Sequence, residues 1–110
     1  MLFNFNNVDK NQVNNMRGGE GFVYMQKYTS DGKLIARITI PPKSSIGYHT
    51  HVDDDEVVYV LNGNGTCLMG DEKKLLGAGD VNYTKKGNSH SIINTSNEDL
   101  VILAIITKIS

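Results

Sequence analysis

Apolar residues in this chain occur in short runs that alternate with polar positions and end at turn-forming residues. Residues 22–28 are rich in aromatic and β-branched types and lead to an Asp-Gly pair at 31–32, which favours a tight hairpin. Residues 34–40 alternate and then meet a Pro-Pro pair at 41–42, which cannot continue a central strand ladder. No stretch keeps a helical apolar period, since the best candidate, residues 8–16, is mostly polar. The first part of the chain therefore predicts strands and no packed helix.

The same pattern continues to the end of the chain. Turns rich in Asn and Gly separate further apolar runs at residues 57–61, 66–69, 75–76, 81–84, 89–93 and 101–109. With an extended segment before residue 51, these make roughly nine short strands with no helix between them. We therefore predict an all-β fold, an antiparallel sandwich or barrel, in a single domain that spans residues 1–110.

Composition and charge exclude several classes of function. A formal net charge of −1 without a basic run argues against nucleic-acid binding. The longest apolar stretch, residues 100–106, is too short to span a bilayer, and the N-terminal residues lack the charged region of a signal peptide. Cys67 is the only cysteine, and its apolar neighbours predict a buried structural thiol rather than a nucleophile. We expect a cytoplasmic protein whose partner is a small molecule.

The placement of the histidines is the most informative chemical feature. His49 and His51 are two apart on an extended segment, so both imidazoles project to one face and could begin a metal site. Glu56 lies an odd number of positions later, so the aspartates at 53–55 must form a turn or bulge that resets the alternation. His90 follows a later glycine turn, and a barrel would bring it to the same interior point. Each histidine alone could equally be a surface or a satisfied core residue, but their combination favours one shared site.

Two stretches resemble the sequence motifs of the cupin family. Residues 49–56, followed by Gly63, resemble the first motif, with two histidines and a glutamate before a glycine turn. Residues 79–94 resemble the second, with two glycines, a histidine and an asparagine in the family's order. Lys43 and Lys85 depart from the usual glycine and proline, but both are turn positions rather than ligand positions.

The resemblance implies both a fold and a metal site. The fold would be a double-stranded β-helix, or jelly-roll, cupin barrel over residues 21–109, with residues 1–20 as an N-terminal arm or edge strand. The ligands would be His49, His51, Glu56 and His90, holding one divalent transition metal with coordination positions left open. Imidazoles with one carboxylate suit Fe, Mn, Ni, Co, Cu or Zn, and the lack of cysteine argues against a structural zinc site.

A substrate pocket would need further polar side chains inside the barrel, and the candidates are few. Arg37 could clamp a carboxylate or phosphate, or could equally point outward to solvent. Tyr83 could form a hydrogen-bonding wall or could pack, and Asn94 or Thr84 could orient the imidazoles. Tyr48 and Tyr59 are out of phase with the ligands and are expected on the opposite face.

Three functions remain open at this point. The first is a small metalloenzyme of the isomerase, dioxygenase or decarboxylase type acting on a small polar metabolite. The second is a non-catalytic module that binds a small ligand such as a sugar, and the third is a purely structural domain, which needs no complete ligand set. The resemblance also implies a homodimer, for which the apolar side chains of Leu2, Phe3 and Phe5 could serve.

Overall fold

Two antiparallel sheets enclose an apolar core in the computed structural model, which describes residues 1–109. Ten strands build them: β1 Asn11–Asn14, β2 Phe22–Ser30, β3 Lys33–Ile40, β4 Ser45–Thr50, β5 Asp54–Asn62, β6 Asn64–Met69, β7 Glu72–Gly77, β8 Val81–Thr84, β9 Ser89–Ile93 and β10 Leu100–Lys108. The six-stranded sheet has the order β1-β2-β3-β10-β5-β8, and the four-stranded sheet has the order β4-β9-β6-β7. Short 3₁₀ turns at Phe5–Asn7 and Met16–Gly18 are the helical segments of the described chain. The predicted all-β architecture is confirmed.

Strict alternation places the core between the sheets. In β3 the inward residues Ala36, Ile38 and Ile40 are almost fully buried, and Val58 and Val60 occupy the same positions in β5. Burial of each larger aliphatic side chain contributes about 1.5–3 kcal/mol. The side chains of Tyr48 and Tyr59 point outward and are 51% and 40% exposed, as their phase predicts.

The predicted hairpin at Asp31-Gly32 is confirmed. Ser30 pairs with Lys33 across a two-residue turn, and the turn residues have φ values of 46° and 76°. Positive φ at both positions is what a two-residue hairpin requires, which explains the preference for Asp-Gly. β1 pairs with β2 at the edge of the six-stranded sheet although its residues are polar, so the apolar pattern did not locate it and only the family resemblance offered an edge strand within residues 1–20.

The N-terminal segment packs on the barrel's own surface. Phe3 stacks on Tyr28 with ring centroids 5.2 Å apart, and Phe5 lies edge-on to Phe3 at 5.4 Å. Leu2 is 97% exposed. Both phenylalanines are thus engaged within the chain, while the homodimer that they were expected to support stays a prediction.

The 3₁₀ turn at Met16–Gly18 lies directly against β4. Its backbone comes so close to the strand that a Cβ added at Gly47 would collide with the carbonyl oxygen of Arg17. A Cβ at Gly19 would in turn collide with the carbonyl oxygen of Ser45. Glycine at both positions permits this approach, and the turn is thereby brought beside the residues that precede His49. Across residues 1–109, no helix has the length and apolar character needed to cross a membrane.

Candidate metal centre

His49, His51, Glu56 and His90 converge on one point inside the barrel. One ligand atom from each side chain can be chosen so that all four atoms lie within 4.8 Å of one another. The three imidazole rings have centroids 4.8 to 5.0 Å apart. His51, Glu56 and His90 are buried, with exposures of 2%, 7% and 1%, and His49 is half-buried. The structure brings together the set that the sequence proposed.

Strand register explains this convergence. His49 lies on β4 directly opposite His90 on β9, so the two imidazoles face the interior side by side. β4 ends at Thr50 and β5 begins at Asp54, and the short break between them resets the alternation as expected. Glu56 therefore shares the inner face of β5 with Val58 and Val60. The site thus joins the four-stranded sheet to the six-stranded one.

Each imidazole has its Nδ1 atom next to a hydrogen-bond acceptor. The Nδ1 of His49 is 2.7 Å from the carbonyl oxygen of Gly47, and the Nδ1 of His51 is 2.6 Å from Oδ1 of Asp54. The Nδ1 of His90 is 2.7 Å from Oδ1 of Asn82. A carbonyl or carboxylate oxygen can only accept, so each Nδ1 carries the proton. With Nδ1 as the donor, Nε2 is the ring atom of each histidine left to coordinate a metal through its lone pair.

These lone pairs make the centre rich in electron density. The Nε2 atoms of His51 and His90 are 3.1 Å apart, and Oε1 of Glu56 lies 3.1 Å from the first and 2.9 Å from the second. Burial lowers the pKa of His49, and the positive charge of Arg17 acts in the same direction although the Gly47 hydrogen bond opposes it. A neutral His49 is ready to coordinate at neutral pH. Buried nitrogen lone pairs and a carboxylate at such distances fit a divalent transition metal among them.

A small cavity of about 40 Å³ opens next to the cluster. Its walls are formed by Met16, Arg17, Ile38, Ile46, His49, Glu56, Val58, His90, Ile92 and Ile106. The wall is apolar apart from the ligands and Arg17, so the volume suits a metal-bound ligand of only a few atoms. The larger hollow of about 530 Å³ lies around the Asp31-Gly32 hairpin and touches none of the four ligand residues.

The three pocket residues suggested by the sequence lie outside this cavity. Arg37 points outward, because Ala36 and Ile38 occupy the inner phase of β3, and its Nε donates to Oε1 of Gln26 at 3.0 Å. Its guanidinium also lies over the ring of Phe5 at 5.4 Å. This corrects the inward alternative and leaves Arg37 a role in attaching the N-terminal segment.

Tyr83 and Asn94 likewise serve other contacts. Tyr83 is 52% exposed and donates its hydroxyl proton to Oδ2 of Asp55 at 3.0 Å, a bond that raises the pKa of Tyr83. Asn94 is buried, but its Nδ2 donates to the carbonyl oxygens of Ile40 and Glu98. It connects two loops and does not line the cavity.

Sequence reasoning missed three polar residues at the site, namely Asn82, Asp54 and Arg17. Asn82 and Thr84, not Tyr83, face inward on β8, and Thr84 Oγ1 lies 2.9 Å from the Nδ1 of His90. The sequence named Thr84 as an orienting candidate but not Asn82, although the alternation of β8 offered a signal for both. Asp54 is one of three consecutive aspartates, all of which were expected to be solvated. The sequence around Arg17 gave no indication of its role, because a tertiary contact places it at the site.

Comparison with known proteins agrees with this geometry. The family model described as a cupin domain matches residues 36–106. An oxalate-binding protein of Thermotoga maritima is 38% identical over 112 residues, which cover 96% of this chain and 93% of the relative. An uncharacterised protein of Methanocaldococcus jannaschii is 32% identical over 76 residues, covering 69% of this chain and 61% of the relative.

Solved structures give the same result. A crystal structure described as a predicted oxalate decarboxylase from Thermotoga maritima superposes with a TM-score of 0.94 at 37% identity, covering 99% of this chain and 100% of that one. A Cupin 2 conserved barrel domain protein from Salinispora arenicola superposes with a TM-score of 0.73 at 18% identity, covering 98% and 87% of the two chains, which shows the fold alone. The barrel is a double-stranded β-helix, and the chain belongs to the cupin family.

Proposed function

We propose that this protein binds one divalent transition metal on His49, His51, Glu56 and His90 and uses it to hold a small organic acid of the oxalate type. The convergence of the ligand atoms, with each Nδ1 next to an acceptor, is the observation that carries the metal assignment. The ligand class is supported by the relatives described as an oxalate-binding protein and a predicted oxalate decarboxylase. When bound, the metal would supply open coordination positions for carboxylate oxygens.

The lining of the cavity favours binding over turnover. Decarboxylation of oxalate to formate and carbon dioxide requires a proton to be delivered to the remaining carboxylate carbon. Glu56 is engaged with His51 and His90, and the remaining charged side chain of the wall is Arg17, whose guanidinium stays protonated. Binding of an anionic ligand requires only the metal and a positively charged side chain. A metalloenzyme of the decarboxylase type is the alternative, supported by the description of the Thermotoga structure.

Metal content tests the first half of the proposal. Protein purified without chelators should carry close to one transition-metal ion per chain by mass spectrometry, and Glu56→Gln should lose most of it. Glu72→Gln is the matched control, because the side chain of Glu72 is 64% exposed on β7. Equal metal content in wild type and Glu56→Gln would overturn the ligand assignment.

Calorimetric titration with oxalate tests the second half. Metal-loaded protein should bind oxalate, and protein stripped with a chelator should not. Binding of oxalate with the same affinity to both forms would contradict metal-dependent recognition. Release of formate from metal-loaded protein would establish the enzymatic alternative.

A further inference from the structure

Arg17 is the cationic side chain of the cavity wall, and it comes from outside the barrel strands. It lies in the 3₁₀ turn Met16–Gly18 between β1 and β2, and it shares the cavity wall with His49, Glu56 and His90. Arg17 is an exposed residue that nonetheless forms part of the cavity wall.

We propose that Arg17 is the specificity-determining residue that makes this site prefer small dicarboxylates to monocarboxylates. The inference rests on the proposed metal-dependent binding of an organic acid. It adds the rule that the preferred acid carries two carboxylates. Oxalate is the smallest ligand that satisfies the rule within a cavity of about 40 Å³.

The charge count of the site supports a doubly negative ligand. Among the metal ligands and the cavity wall, a divalent ion, the Glu56 carboxylate and three neutral imidazoles sum to one net positive charge, and Arg17 adds a second. Asp54 contacts the Nδ1 side of His51 and is not part of the wall. A dianion would neutralise both charges, whereas a monoanion would leave one unbalanced. In a partly buried site, such an imbalance weakens binding much more than it would in water.

The guanidinium of Arg17 is free to contact a ligand. Within residues 1–109 it makes no ion pair with a carboxylate and no side-chain hydrogen bond, whereas the outward Arg37 is held by Gln26 and Asn6. A planar guanidinium can donate two parallel hydrogen bonds to one carboxylate. A dicarboxylate bound to the metal would still have carboxylate oxygens free to accept hydrogen bonds from this group.

The backbone around Arg17 is held in an unfavourable conformation. Its φ is 54°, in the left-handed region, where residues with a side chain are uncommon. Hydrogen bonds fix the turn on both sides, from Gly18 N to the oxygen of Asn15 and from Gly19 N to the oxygen of Met16, each 2.9 Å long. Strain that the surroundings hold in place is typical of functional positions. The position of Arg17 is thus determined by the fold rather than by a mobile loop.

A pair of ligands with matched chelating groups tests the proposal. Oxalate and glycolate can each bind a metal through two oxygens, but glycolate carries one negative charge less. In calorimetric titrations of metal-loaded protein, Arg17→Met should weaken oxalate binding by roughly 10- to 100-fold and change glycolate binding by less than about threefold. Arg17→Lys should recover part of the oxalate affinity, because it keeps the charge but loses the fork geometry.

The controls separate this inference from the proposed function. Arg37→Met removes an equal charge from the outer face and should leave both affinities unchanged. Metal content of Arg17→Met should equal that of wild type, since Arg17 is not a ligand. Suppose that metal-loaded wild type binds oxalate, and that Arg17→Met either binds oxalate equally well or loses as much affinity for glycolate as for oxalate. Either result would overturn the selectivity proposed for Arg17 and leave the proposed function standing. If wild type binds no oxalate, the proposed function and this inference fail together.

Discussion

The imidazole of His51 is oriented by one partly exposed carboxylate, that of Asp54. Asp54 accepts from the Nδ1 of His51 at 2.6 Å, and its side chain is 24% exposed, so the bond is partly shielded from water. Such partners fix the tautomer and raise the basicity of the coordinating nitrogen. Asp54→Ala should therefore reduce metal affinity by about 10- to 100-fold, as measured by competition with a chelator. Asp53→Ala, at an exposed neighbouring position, is the control and should retain wild-type affinity. Equal effects of the two changes would contradict the orienting role.

Cys67 should be unreactive in the folded protein. It is 1% exposed, and burial raises its pKa from 9.0 to about 11. At pH 8 only about one thiol in a thousand is then ionised, against about one in ten in the unfolded chain. Iodoacetamide should label native protein far more slowly than protein in denaturant. Rapid native labelling at pH 8 would show that the thiol is accessible.

The same shift has a consequence for stability in alkali. Because the folded-state pKa is raised, the unfolded chain releases this proton first as the pH rises. The free energy of unfolding should therefore be independent of Cys67 below pH 9 and should fall between pH 9 and about 11. Cys67→Ala should lack this part of the pH dependence, which denaturant titration at several pH values would measure.

At the scale of single residues, the sequence predicted the metal ligands better than the groups that form hydrogen bonds with them. His49, His51 and Glu56 could be placed on one face because alternation has a fixed period and the aspartate break corrected the phase. The acceptor for His49 is the carbonyl oxygen of Gly47, and backbone atoms leave no trace in side-chain patterns. Arg17 and Arg37 look alike in sequence, and only their packing distinguishes the cavity residue from the outer one.

At the scale of elements, the 3₁₀ turn at Met16–Gly18 packs closely against β4 and contributes Met16 and Arg17 to the cavity wall. Gly47 has no positive φ that would require glycine, but a Cβ there would collide with the carbonyl oxygen of Arg17. Gly47→Ala should therefore displace the turn, lower the free energy of unfolding by about 1–3 kcal/mol and weaken oxalate binding more than metal binding. Denaturant unfolding and calorimetry measure the two effects.

Gly77 on β7 provides the control for this change. A Cβ at Gly77 would only approach the flexible side chain of Asn64, at 3.3 Å. Gly77→Ala should thus leave both ligand and metal affinities near wild type. Identical losses in the two variants would show that a general weakening of the strands, rather than the position of the turn, is responsible.

The strands were predictable to the extent that they bury one face. Alternating burial in β3 and β5 follows from apolar residues at every second position, so the sequence located both strands, although it left open which way Arg37 on β3 points. The apolar pattern did not locate β1, which the family resemblance offered only as an alternative to an N-terminal arm, because residues Asn11–Asn14 form a strand through pairing with β2 and not through their own propensity. The positive φ values of Asn15 and Arg17 could not be predicted either, because tertiary contacts hold both residues in the left-handed region.

For the molecule as a whole, the candidate metal centre draws its residues from both sheets. His49 and His90 belong to the four-stranded sheet and Glu56 to the six-stranded one, and their ligand atoms meet in the space between. The Nε2 atoms of His51 and His90 and the Glu56 carboxylate face one another at about 3 Å. A metal ion coordinated by these groups would link the sheets. Global stability should therefore respond to metal, although the site occupies a small part of the barrel.

Thermal unfolding measures that response. At a free metal concentration about 100 times the Kd, preferential binding to the folded state adds about 2.7 kcal/mol to the free energy of unfolding. In a domain of this size, the midpoint Tm should then rise by about 10 °C. Glu56→Gln should show little of this shift, because the link between the sheets is lost, while Glu72→Gln should show all of it. A rise of equal size in wild type and Glu56→Gln would place the stabilising ion elsewhere and contradict the proposed connection between metal binding and the closure of the barrel.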